Sequence, residues 1–299
     1  MMFDRYLTID WSASNHPKTG KDSIWICSLG FDDEPRTWNP PTRGAAQATV
    51  RDLLVDAVGR RERVLIGFDF PYAYPSGFAA ALALGGPPWR LVWAYLEEQM
   101  RDDPQTNQSN RFEVASAINA RLMAHTFWGC PSKLLLDDLS PKQDQARYLE
   151  RDSVGLNEWR AVERVLQSQR KNPQSTWKLF GAGSVGSQAL TGIPVVSRLR
   201  HIRELAAISK VWPFEVTIPN LPEGLPAIIH AEIWPSLIEV LPVAGQDKDQ
   251  TQVVRLAEEF RDRDRVDSLR ELFAAGGSPQ AAEEGWILGV VRADPTRPS

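Results

Sequence analysis

The sequence predicts an α/β protein: a mixed sheet that begins as a three-strand meander, continues as alternating helices and strands, and is broken by a large helical insertion. Three observations predict it. Short β-rich runs open the chain, apolar residues at helical spacing lead directly into a further strand, and the strand signal is lost from Pro71 to about Gln174 before it returns.

Tyr6-Leu-Thr-Ile-Asp-Trp11 reads as the first strand, ended by the small polar loop Ser12 to Asn15. Ser23-Ile-Trp-Ile-Cys-Ser28 reads as the second, with a short third around Thr37. Val50, Leu53, Leu54, Ala57 and Val58 recur at helical spacing between Gly44 and Arg61, and the fourth strand, Val64 to Phe70, follows at once. Helical periodicity then covers Trp89 to Met100, Glu113 to His125 and Leu156 to Gln169. Strand signals return at Pro213 to Ile218 and Ala227 to Trp234, and a long helix is expected from about Thr251 to Ala274. The organisation this implies is a core of residues 1–76 and 208–291, a mainly helical insertion over 77–207 that includes the glycine-rich loop 181–186, and a flexible tail at 292–299.

Hydrophobic content of 42% and charged content of 24% over 299 residues suit a globular protein with a substantial core and exclude general disorder. No apolar run approaches the roughly 18 residues of a membrane span, and the opening residues lack the basic and apolar regions of a signal peptide. The expectation is a cytoplasmic protein with no membrane partner. Cys27 and Cys130 show no metal-ligand or redox spacing and are read as reduced core thiols. The 11 tryptophans are read as packing residues. A net charge of −4 does not suit a broad basic surface for nucleic acid, so any such substrate must be met locally.

The acids are placed more tellingly. Asp10 and Asp69 each end an apolar strand, and Glu232 interrupts the apolar run Ile-Ile-His-Ala-Glu-Ile-Trp. Carboxylates on paired strands about 4.8 Å apart can share one cation. On the late helix the stripe Val253, Ala257, Phe260 continues onto Asp264 and Asp267, whereas Asp262 falls opposite. A solvated ladder neutralised by Arg263, Arg265 and Arg270 is the plainer account of that helix taken alone.

Taken together, Ile-Asp10-Trp, Gly67-Phe-Asp69-Phe-Pro71, Ala231-Glu232-Ile-Trp-Pro235 and Asp264-Arg-Val-Asp267 resemble the ribonuclease-H-like superfamily, and within it a family of predicted bacterial and archaeal nucleases. The resemblance spans about residues 5 to 275 through short motifs. It implies a ribonuclease-H-like fold and a metal-dependent phosphodiester hydrolase. It further implies Asp10 as central ligand of Mg²⁺ or Mn²⁺, Asp69 and Asp267 as its partners, and Asp264 or Glu232 completing the set. Two alternatives stand beside it: an enzyme holding a nucleotide through Mg²⁺, and a binding module that keeps the fold without the chemistry.

Gly181-Ala-Gly183-Ser-Val-Gly186 matches GxGxxG, but it lies mid-chain after helices, and Pro194 is expected to end the next helix early. A plain glycine turn is the favoured reading. A weaker one places Lys178, Ser184 and Gln188 against a substrate phosphate at the helix start. His230 and Glu232 imitate the H-x-E of zinc deaminases, but the required P-C-x-x-C is missing. Basic clusters at Arg60, Arg61 and Arg63 and at Arg198, Arg200 and Arg203 are candidate backbone guides, the second being the better placed.

Overall fold

The computed structural model describes residues 1–143 and 154–291, so the tail expected at 292–299 lies outside the described residues. Six strands form one mixed sheet: β1 (Arg5–Asp10), β2 (Trp25–Gly30), β3 (Arg36–Trp38), β4 (Arg63–Phe68), β5 (Ser209–Val211) and β6 (Ala227–Glu232). Their order is β3-β2-β1-β4-β6-β5. β1, β2 and β3 pair antiparallel, whereas β1 with β4, β4 with β6 and β5 with β6 pair parallel. The described helices of at least two turns are α1 (Arg43–Gly59), α2 (Pro88–Gln99), α3 (Arg111–Leu122), α4 (Ala161–Ser168), α5 (Val185–Arg200) and α6 (Lys248–Arg265). None of them is long and apolar enough to cross a membrane.

Strand alternation divides the core between two faces. Leu7, Ile9, Ile26, Ile66 and Phe68 point to the layer of α1, α2, α3 and α5. Tyr6, Cys27, Leu29, Leu65 and Ile229 point the other way, against Val253, Leu256, Ala257 and Phe260 of α6. The inward stripe expected on the late helix is therefore present. Most of the tryptophans, including Trp11, Trp93, Trp177, Trp212 and Trp286, are buried, and both cysteines are free and buried.

Three expectations need correcting. Pro213 to Ile218 is not a strand; the strand lies just before it at Ser209–Val211, because Pro213 has no N–H for the ladder and the Glu215 amide turns back to the Val211 carbonyl (2.8 Å). The late helix ends at Arg265 and gives way to a separate 3₁₀ segment at Leu269–Gly277. Pro194 does not end its helix, since α5 runs on to Arg200. That helix is buried along most of its length, and packing outweighs the one hydrogen bond a proline removes.

Gly192 is why α5 sits so close to the sheet. A Cβ there would meet the buried Phe70 ring at 2.3 Å. Gly192→Ala is expected to cost about 1–3 kcal/mol through overpacking, while Gly59→Ala, with nothing within 4 Å of its Cβ, leaves stability unchanged or raises it. Urea denaturation of the two variants checks the difference.

Candidate functional site

In the parallel register Ile9 stands opposite Phe68, so Asp10 and Asp69 leave the ends of neighbouring strands together. Both lie on the α6 face, Asp10 in phase with Tyr6 and Thr8 and Asp69 in phase with Leu65. The Trp11 amide donates to Asp69 Oδ1 at 2.7 Å, the Asp69 amide donates to the Ile9 carbonyl, and the two carboxyls hydrogen-bond to one another. Burial first, then the charges of Asp69 and Asp249, push the Asp10 carboxyl well above the usual carboxylate range. Burial raises Asp69 to about 7 against the opposing pull of its hydrogen bonds from Trp11 and Asp10. The pair behaves as two carboxylates sharing a proton.

Asp10 opens into a cleft of about 470 Å³, whose lining also includes Asp22 and Asp249, while Asp69 borders a smaller cavity together with Arg160, Glu163 and Glu232. Asp249 stands in the first turn of α6 and its Oδ2 accepts from the Asp22 amide (2.8 Å), which fastens the loop before β2 to the helix. The loop after β1 is fixed by Arg43, which donates to the Ser12 and Ser14 carbonyls (3.2 and 2.7 Å) while both ends of its guanidinium pair with Asp102 (2.6 Å each). Arg111 forms part of another wall, together with Phe180, Gly181, Gly183, Ser184 and Gln188 from the glycine-rich loop and the start of α5.

The remaining expected acids do not line this cleft, although Glu232 shares the smaller cavity of about 30 Å³ with Asp69. Asp264 is buried at the opposite end of α6 and accepts from the amides of Met2 (2.6 Å) and Phe3 (2.8 Å) and the Tyr6 hydroxyl (2.7 Å). Fifteen residues separate it from Asp249, about 22 Å of helix. Asp267 is exposed beyond the end of α6 with a left-handed backbone (φ 56°) and joins neither acid pair, so it does not serve with Asp10 and Asp69 as the resemblance implied. Glu232 alternates onto the other face of the sheet, opposite Phe68, where Arg160 grips it through two bonds (2.6 and 2.8 Å) and the Tyr72 amide donates to it (3.0 Å). It anchors a buried cluster of Arg160, Glu163 and Glu232.

Of the loop residues expected to meet substrate, Ser184 and Gln188 line the cleft and Lys178 does not. Lys178 folds back to the Ala182 carbonyl, and Gln188 ties α5 to the Trp11 carbonyl. Gly181 and Gly183 have positive φ (88° and 70°), and a Cβ on Gly186 would meet the Thr176 carbonyl at 2.3 Å. The glycines thus serve a turn and a close approach. His230 is sealed in β6 with neither ring nitrogen hydrogen-bonded, and burial drives its pKa down to about 3, so it stays neutral. The basic clusters do not line the cleft: Arg63 pairs with Asp4, Arg60 with Asp56 and Glu62, and Arg200 with Glu215.

Sequence reasoning missed Asp22, Asp249, Arg43 and Arg111. Asp249 was within reach: extending the stripe backward from Val253 by one helical step of four residues lands on it. The others carry no local signal, because their role comes from contacts distant in the chain.

Among the described residues no group of three His, Cys, Asp or Glu side chains stands at metal-ligand spacing. Asp10 and Asp69 nevertheless fit a hard divalent cation in donor chemistry, since they end neighbouring strands as carboxyl groups and burial without a counter-charge raises the proton affinity of both. Mg²⁺ is commonly held by one or two carboxylates, with water and substrate phosphates in the other positions. Comparison of the chain with family models, with curated proteins and with solved structures finds no significant match.

Because the pair holds its proton more tightly folded than unfolded, it favours the folded state at low pH, and that contribution is lost as the pH rises from about 4 through about 7. Asp10→Asn removes the repulsion, so its stability relative to the parent is expected to rise between pH 5 and pH 8, by roughly 1–2 kcal/mol. Glu232→Gln and Asp264→Asn act oppositely, each costing about 1–3 kcal/mol, the first by leaving Arg160 with Glu163 as its one carboxylate partner and the second by weakening three hydrogen bonds. Denaturation midpoints across pH separate the acids that burden the fold from those that hold it.

Proposed function

We propose that the protein is a metal-dependent phosphodiester hydrolase of nuclease type, acting in the cytoplasm, with Asp10 and Asp69 as the residues that hold Mg²⁺ or Mn²⁺. The observation that carries this reading is the carboxyl pair at the ends of adjacent parallel strands, of which Asp10 faces a cleft also lined by Asp22, Asp249 and Arg111. A meander followed by parallel crossover strands supports the ribonuclease-H-like resemblance.

Asp10 and Asp69 would hold the cation, which would supply Lewis acidity toward water and a phosphoryl group. The chain's own residues do the rest. Asp10 and Asp69 bind and orient, with the Trp11 amide fixing the rotamer of Asp69. Asp249 adds negative charge that deepens the attraction for a cation, and Arg111 supplies positive charge for an anionic substrate. The arrangement separates the two demands of phosphoryl transfer, a carboxylate floor for the cation and a cationic wall for the substrate.

The test is cleavage of a panel of single- and double-stranded DNA and RNA in Mn²⁺ or Mg²⁺. Cleavage is expected with the parent, with a loss of at least about 100-fold in Asp10→Asn and Asp69→Asn and a smaller loss in Asp249→Asn, whereas Asp264→Asn retains activity in whatever fraction remains folded. An untouched panel, together with no Mn²⁺ binding at millimolar concentration, would leave the binding-module reading in its place.

A further inference from the structure

The cleft has a second chemical feature besides its acids. Arg111 is only 6% exposed, yet no carboxylate pairs with it among the described residues. Its Nε donates to Ser187 Oγ (3.0 Å) and its Nη1 to Ser109 Oγ (2.9 Å) and Asn15 Oδ1, all neutral acceptors. Its Nη2 makes no hydrogen bond and is not sealed from solvent. Other buried arginines of this chain are treated differently: Arg43 has Asp102, Arg63 has Asp4, Arg160 has Glu163 and Glu232, and Arg200 has Glu215.

A guanidinium removed from water without a counter-charge is costly to the fold unless an anion completes it. Burial and the charge of Arg43 lower its pKa to about 10, and the nearby acids that oppose this are Asp102 and Glu113 rather than the carboxylates of the cleft floor. It remains cationic, fixed in orientation, with one edge free.

Phe180 lies in the same cleft. It is 49% exposed, an unusual state for phenylalanine, and its ring meets Phe112 edge-on at 6.4 Å, while Arg111 lies over the Phe112 ring at 4.4 Å. An exposed aromatic face beside a prepared anion receptor matches a ligand with a phosphate at one point and a flat ring at another. Size and charge narrow the choice further. A volume of about 470 Å³ is that of a small-ligand pocket, and Arg111 is the sole cation among the described residues lining it, so a long backbone finds no track of positive charge.

We propose that this cleft is a nucleotide subsite, in which Arg111 receives the phosphate of a single nucleoside phosphate and Phe180 stacks on its base. The proposal rests on the hydrolase reading for its biological sense, but its binding chemistry is independent of any cation at Asp10 and Asp69. It assigns the substrate class as a free nucleotide or the terminal nucleotide of a strand, recognised one residue at a time. Stacking tolerates all bases, so discrimination lies in the phosphate and the ring rather than in base edges.

Calorimetric titration of the full chain in EDTA tests it with four probes: AMP, ribose 5-phosphate, adenosine and a 5′-phosphorylated dinucleotide. AMP is expected to bind about tenfold or more tightly than either ribose 5-phosphate or adenosine. Phe180→Ala, at an exposed position with little bearing on folding, should lower AMP affinity about tenfold and leave ribose 5-phosphate unchanged. Arg111→Lys keeps the charge but loses the planar fork, and should weaken AMP and ribose 5-phosphate alike. With AMP bound as expected, a dinucleotide that binds about tenfold more tightly still supports a strand end as the source, and comparable binding of both supports a free nucleotide. AMP binding no better than ribose 5-phosphate, indifference to Phe180→Ala, or no binding by any phosphorylated probe overturns the proposal. Asp10→Asn should bind AMP at least as well as the parent, so a failure of cleavage with AMP binding intact removes the hydrolase alone, and cleavage without AMP binding removes this subsite alone.

Discussion

The parallel register of β1 and β4 is the constraint from which the site follows. With Ile9 opposite Phe68, the chain has no choice but to bring Asp10 and Asp69 out side by side on one face. Neighbouring strands are about 4.8 Å apart, a separation at which two buried carboxylates repel strongly and one of them keeps its proton. Local stability would favour almost any neutral pair in those positions. The fold instead reinforces the arrangement with the Trp11 amide and the Arg43 clamp on the following loop.

The direction of α6 decides which of its acids joins them. The Thr8 hydroxyl donates to the Val253 carbonyl (2.6 Å) and so pins the helix across the middle of β1. From there the helix runs toward the amino end of the strand, where Asp264 receives two amides and a hydroxyl, while its first turn reaches the carboxyl end, where Asp249 faces other acids. The same side chain is a clasp at one end and a source of strain at the other. Its surroundings make the difference: donors stabilise a carboxylate, and like charges destabilise it.

The buried charges divide in a similar way. Arg160, Glu163 and Glu232 form a closed group in which opposite charges meet, and they stabilise the packing of α4 on the sheet end. Arg111 and the Asp10–Asp69 pair are left open, one to anions and the other to cations, and Arg111 and Asp10 line the same cleft. Incomplete satisfaction of buried charge, on two walls and with opposite sign, distinguishes this cleft from the rest of the molecule.

Much of the architecture could be read from the chain itself. Short apolar, β-rich runs mark the first four strands and the sixth within a few residues, because this sheet is buried on both faces, and helical spacing marks α1, α2, α3 and the inward stripe of α6, because burial of one face imposes that period. Asp10 and Asp69 were visible for the same reason, as carboxylates standing where an apolar strand ends. The tertiary structure alone decided the rest. Which end of a helix meets which end of a strand leaves no mark on periodicity, so the inward stripe cannot show that the helix carries Asp264 away from Asp10, where the resemblance offers Asp264 or Glu232 to complete the set. A single step in strand phase sends Glu232 to the opposite face, and Arg160, the partner that closes its charge, stands just before α4, more than seventy residues earlier. Contacts between distant segments determine whether a charge is satisfied or left open, and they are set by packing in three dimensions rather than by any local pattern of residues.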